Sequence, residues 1–167
     1  MMKFQNALSK SALAGFRGSV VSRIDNATWL PLGSESYEEW YLVDGSDILD
    51  PLNEVAVSNS RKEPHDDAAH MATDMRAGLY KLRLGEESSV DGRCITWLSK
   101  PKGTDYEQFY DQISKVMTNS ESSLWRRQMV LGPTSEFCVI TKDELSINTP
   151  EFNPVLVKRN GHVYINA

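Results

Sequence analysis

The stretch Thr104-Asp105-Tyr106-Glu107-Gln108-Phe109-Tyr110-Asp111-Gln112-Ile113-Ser114-Lys115-Val116-Met117 decides the fold class of this chain. Thr104 is placed to accept from the backbone N–H of Glu107 while the Glu107 side chain reaches back, a capping box that starts a helix. Tyr106, Phe109, Tyr110, Ile113, Val116 and Met117 then recur three and four residues apart, so they form one apolar stripe suited to packing on a sheet. Sheet-forming sequence flanks it. Residues 79–84 and 93–98 read as strands joined by a loop holding Gly85 and Gly92. Residues 124–131 read as a strand broken by Gly132-Pro133 before extended structure resumes over 137–141.

Upstream, residues 39–43 are aromatic and β-branched and stop at Asp44-Gly45, which predicts a strand. A helix follows on Ile48, Leu49, Leu52, Val55 and Ala56, capped by Asp47 or Asp50, with Pro51 accommodated in its first turn. Another helix starts at Pro64, carries Asp66 and Asp67 at its positive end, and runs to Arg76 before Gly78, with Ala68, Met71, Ala72 and Met75 as its core face. Val20, Val21 and Ile24 make a short strand before the Asp25-Asn26 turn. Asn160-Gly161, between the extended stretches 155–159 and 162–165, carries the signature of a type I′ hairpin. The order β-α-(α)-β-β-α-β predicts an α+β, ferredoxin-like antiparallel sheet with helices on one face, an extra N-terminal strand and a C-terminal hairpin. Residues 1–36 form a partly ordered extension and 37–167 a single domain.

That element order resembles the dimeric α/β-barrel superfamily of ferredoxin-like fold, in which two such sheets face one another across a dimer axis. The resemblance covers about residues 37–141. Tyr41-Leu42-Val43-Asp44, Ala77-Gly78-Leu79-Tyr80 and Leu124-Trp125-Arg126-Arg127-Gln128-Met129-Val130-Leu131-Gly132-Pro133 look like those of bacterial members, from which no catalytic residue carries over. The resemblance implies a homodimer and, as reaction classes, cofactor-independent oxygenation, isomerisation or haem handling.

The net charge is −5, but the first 24 residues carry Lys3, Lys10, Arg17 and Arg23 and no acid, which leaves 14 positive against 23 negative charges in the remainder. An acidic body repels phosphate backbones, so nucleic acid is not an expected partner. The basic start, with Ser9, Ser11, Ser19 and Ser22, has the composition of a transit peptide, but such starts are more often ordinary cytoplasmic N-termini; a cytoplasmic protein is expected. No apolar run approaches a membrane span. Cys94 and Cys138 lie far apart without a C-x-x-C pair, so neither a disulfide framework nor a zinc knuckle is suggested.

Chemistry is best sought among the strand cations. Lys81, Arg83, Arg93, Arg126 and Arg127 lie in predicted strands that contain no acid. Alternation sets Lys81 and Arg83 against Tyr80, Leu82 and Leu84, and aims Arg127 with Trp125 and Met129 into apolar surroundings. Such arginines either grip a carboxylate or phosphate ligand through the guanidinium fork or pair with Asp or Glu of a helix or second subunit, the commoner arrangement. Trp97, Trp125 and Tyr80 could line the pocket or simply be core. On the second helix Asp66, His70 and Asp74 fall four apart, a polar stripe that is more often a solvated face than a metal site, so no metal is assigned. His65 and His70 are the candidates for proton transfer. No phosphate loop, G-x-S-x-G or H-E-x-x-H motif is present, and no cofactor is expected. The expectation is therefore a homodimer that binds a small organic molecule, anionic or neutral, through Arg127, Arg83, Trp97, Trp125 and Tyr80, with His65 and His70 catalytic, as in a cofactor-independent oxygenase or isomerase. The rival expectation is a noncatalytic interaction or stress-response protein that assembles through its sheet face and hairpin.

Overall fold

The structure is a computed structural model that describes residues 2–25, 27–30, 35–117, 121–131 and 134–166. Its elements in chain order are α1 (Met2–Ser9), β1 (Phe16–Asp25), β2 (Ser36–Val43), α2 (Leu49–Ala56), α3 (Lys62–Met71), β3 (Ala77–Gly85), β4 (Cys94–Leu98), α4 (Tyr106–Val116), β5 (Ser122–Leu131), β6 (Phe137–Thr141) and β7 (Val155–Asn166), with short 3₁₀ turns between several of them. Asn26 of the expected turn and the Gly132-Pro133 break lie outside the described residues. No helix among the described residues is long and apolar enough to cross a membrane.

The ferredoxin-like plan is corrected. The strands follow the order β2-β1-β7-β4-β6-β5-β3 in one seven-stranded sheet, and the pairings of β3 with β5, β5 with β6, β6 with β4 and β4 with β7 are antiparallel. β3 and β4, consecutive in the chain, are not neighbours, because β5 and β6 lie between them. Two glycines suit the pairings that do form: a Cβ on Gly85, which sits at φ +78°, would lie 1.9 Å from Ser122 O, and one on Gly92 would lie 2.5 Å from Thr141 O. Those close approaches hold the end of β3 against β5 and the start of β4 against the end of β6.

The C-terminal hairpin is also absent, because β7 runs unbroken through Asn160-Gly161. Only Gly161 takes a positive φ, whereas a type I′ turn needs it at both central residues. A nonlocal partner outcompetes the local turn: Val155 to Lys158 pair in register with Trp97 to Cys94, and Arg159 N–H donates to Arg93 O at 2.8 Å.

The chain divides into two compact units, one formed by Met1–Ser22, Tyr37–Met75 and His162–Ala167, the other by Arg23–Ser36 and Arg76–Gly161. In the second, α4 is where its sequence places it. Phe109 and Ile113 are fully buried with Leu98, Leu124, Phe137, Val139 and Phe152, while Tyr110 and Met117 pack at the margin. Its cap is shifted by one residue, since Asp105 rather than Thr104 accepts the N–H, that of Gln108, at 2.8 Å, and Thr104 N–H is committed to Pro101 O. Asp105→Ala should cost about 1 kcal/mol in a urea melt, the usual worth of an N-cap, whereas Thr104→Ala should cost far less.

In the first unit, Phe4 and Leu8 of α1, Phe16 of β1 and Leu52 of α2 make a small core against which Tyr41 and Val43 pack. No side chain caps α2; Asp47 lies in the 3₁₀ turn before it and Asp50 in its first turn. The next helix starts earlier and ends earlier than expected, at Met71, and its supposed core methionines Met71 and Met75 are 74% and 73% exposed. Local periodicity marks that face, but no residue of the helix Lys62–Met71 is fully buried.

Candidate functional site

Cross-strand register assembles the aromatic residues. Trp97 pairs with Cys138, Cys138 with Trp125 and Trp125 with Leu82, and directly opposed residues share a face, so these four form one row across β4, β6, β5 and β3. Arg127 lies two residues beyond Trp125 and pairs with Tyr80, which puts both on that same face. The next row, Leu98–Phe137–Arg126–Lys81, occupies the opposite face, which α4 covers. The structure thus gathers Tyr80, Trp97, Trp125 and Arg127 within one unit.

Ring contacts tighten the group. Trp97 is met edge-on by Tyr80 at 5.8 Å and by Trp29 at 5.3 Å, the latter a neighbour that nothing in the local pattern signals. Trp97 and Trp125 are each 6% exposed, and the Trp125 indole donates to Ser123 Oγ at 2.9 Å. The Tyr80 hydroxyl lies 3.0 Å from Thr134 Oγ1, and the Arg127 guanidinium donates to Thr134 O at 2.9 Å.

Arg83 departs from the expected alternation. Leu82 pairs with Trp125 and Leu84 with Leu124, so Arg83 stands between two registered pairs at a bulge, and Leu84 crosses to the α4 face to join the core. Arg83 is half-buried, and its Nε is sealed from solvent without a hydrogen-bond partner.

The strand cations now separate into two kinds. Arg126 pairs with Glu136 at 3.3 Å and lies 3.6 Å over the Tyr106 ring, and Tyr106 donates to the same Glu136 oxygen at 2.8 Å; that hydrogen bond, with burial adding to it, raises the phenol above its ordinary pKa. Arg93 pairs with Asp143 at 3.4 Å on the surface. Lys81, Arg83 and Arg127 meet no carboxylate among the described residues, and of the three only Lys81 is exposed. Cys94 is unsuited to nucleophilic work, because burial first, and Glu144 next, push its thiol up.

His65 and His70 belong to the other unit. His65 Nδ1 lies 3.2 Å from Asp66 Oδ1 with its ring edge-on to Phe4 at 5.4 Å, and His70 Nδ1 lies 2.8 Å from the Asp66 carbonyl. The Asp66 carboxyl is held below its usual range by the hydrogen bond from Lys62 and, less, by that from His65. A depression lined by Asn59, Lys62, Glu63, Asp66 and Asp67 is open to solvent and contains neither histidine. Because α3 ends at Met71 and Asp74 takes φ +48°, Asp74 leaves the helical stripe of Asp66 and His70. Among the described residues no group of three His, Cys, Asp or Glu is arranged to hold a metal. No family model, curated protein or solved structure compared with this chain matches it.

Proposed function

We propose that this protein binds a small organic molecule with a carboxylate or phosphate group, taken at the sheet face that carries Tyr80, Trp97, Trp125 and Arg127. The observation that carries the reading is the division among the strand cations: Arg126 and Arg93 have acidic partners, whereas half-buried Arg127 has only a carbonyl and half-buried Arg83 has no hydrogen bond for its sealed Nε. A guanidinium withdrawn from water needs more than one neutral acceptor to offset its desolvation, and an incoming anion supplies the missing charge through a two-pronged hydrogen bond. The neighbouring indole and phenol rings favour a planar apolar body on that anion.

The reading is one of binding. His65 and His70 are engaged with Asp66. Benzoate, phenyl phosphate and acetate, each titrated into the protein at constant ionic strength, provide the test. The aromatic anions should raise the melting temperature in proportion to RT ln(1 + [L]/Kd), about 2.7 kcal/mol of stabilisation at a hundredfold excess over Kd, with acetate well behind. Equal, small responses to all three, indistinguishable from chloride, would favour the interaction-protein alternative.

A further inference from the structure

The other unit holds an independent feature. Gln5 of α1 is fully buried, and its side-chain amide donates to the Tyr41 hydroxyl at 2.9 Å; that hydroxyl donates to Glu39 Oε2 at 2.8 Å. The direction of the relay is fixed, because a phenol has one proton and Tyr41 gives it to the carboxylate. Gln5 must therefore turn its NH₂ toward Tyr41, which leaves Gln5 Oε1 as an acceptor without a donor. Burial, with the Glu39 charge next, drives the Tyr41 pKa far above the ordinary phenol value, so the proton stays in place.

Two oxygens then lie sealed from solvent with no hydrogen-bond partner: Gln5 Oε1 and Glu39 Oε1. Glu39 forms no ion pair among the described residues, and Arg17 of β1 is committed to Asp44 at 3.1 Å and to Val43 O. What is open at Gln5 Oε1 and Glu39 Oε1 is all acceptor, and it carries the negative charge of Glu39. Glu39 is half-buried with one oxygen sealed from water, and a carboxylate so placed, with neither counter-charge nor a full set of donors, is unfavourable in a way that a cation offsets.

We infer that Gln5 Oε1 and Glu39 Oε1, whose side chains are both tied to the Tyr41 hydroxyl, form a site for a small monovalent cation, either an alkali ion or an ammonium group. The intact protein is melted in lithium, sodium, potassium, ammonium, methylammonium and tetramethylammonium chloride at one ionic strength. A cation that fits should raise the midpoint saturably, by about 3 °C at tenfold over its dissociation constant, and bulky tetramethylammonium should give no rise. Potassium against methylammonium distinguishes a metal ion from an ammonium head group. Glu39→Gln should abolish the cation selectivity; if that variant does not fold, Gln5→Met, which keeps the volume and removes one oxygen, should weaken the response at least threefold in concentration. Identical midpoints in every salt, or selectivity that survives both substitutions, overturns the inference in favour of trapped water.

Discussion

Phe109→Ala should cost about 3–5 kcal/mol, the largest single effect of any apolar truncation in the α4 core. Phe109 is fully buried, its ring centroid 4.5 Å from that of Phe137 and 5.3 Å from that of Phe152, and it bridges α4 to β6 and to the 3₁₀ turn that precedes β7. Truncation removes the transfer free energy of the ring and leaves a hole that three strands and a turn cannot all close. Against a typical total of about 5–15 kcal/mol, that is about a fifth of the stability or more. Urea unfolding followed by far-ultraviolet dichroism reads it as a lowered midpoint at unchanged slope. Phe109→Leu should recover more than half. A cost below about 1 kcal/mol would mean that α4 does not seat on the Leu98–Phe137 face.

Arg127→Met should weaken binding of benzoate or phenyl phosphate by roughly 10- to 150-fold, the loss of one charged hydrogen-bonding group worth about 1.5–3 kcal/mol. Methionine keeps most of the aliphatic length, so the loss measures the guanidinium rather than packing. Arg127→Lys should recover only part of it, since an ammonium cannot present two parallel donors. Arg83→Met should add a further loss, because the bulge sets Arg83 beside the Leu82–Trp125 pair and Arg127 lies two residues from Trp125. Arg126→Met behaves differently: it should lower stability by releasing Glu136 and the Tyr106 ring, and should leave anion affinity unchanged. If Arg127→Met instead leaves the protein more stable and its anion response intact, Arg127 is a residue the fold merely tolerates.

What the chain reveals before folding is what depends on near neighbours. The α4 stripe is complete in twelve residues and is readable to within one residue of its cap, since Thr104 and Asp105 are adjacent and both competent caps. Alternation likewise put Arg127 with Trp125 correctly on one face of β5. The register that adds Trp97 and Tyr80 spans strands far apart in sequence, and the same alternation misplaced Leu84, because a bulge at Arg83 inserts one unmatched residue. The Asn160-Gly161 signal was strong and wrong for a similar reason: a turn competes only with local alternatives, whereas β4 offered Val155 to Lys158 a full ladder. Gln5 and Tyr41 meet across 36 residues, and no local pattern announces a glutamine sealed under a phenol.

The most direct test is the intrinsic fluorescence of the intact protein during titration with phenyl phosphate. If the anion sits against the Trp97–Trp125 face beside Arg127, the emission should change saturably with one site per chain, and the change should vanish in the Arg127→Met, Arg83→Met double variant at the same concentrations. Emission that stays flat while the melting temperature rises, or a response that the double variant keeps, would place the anion elsewhere and contradict the assignment.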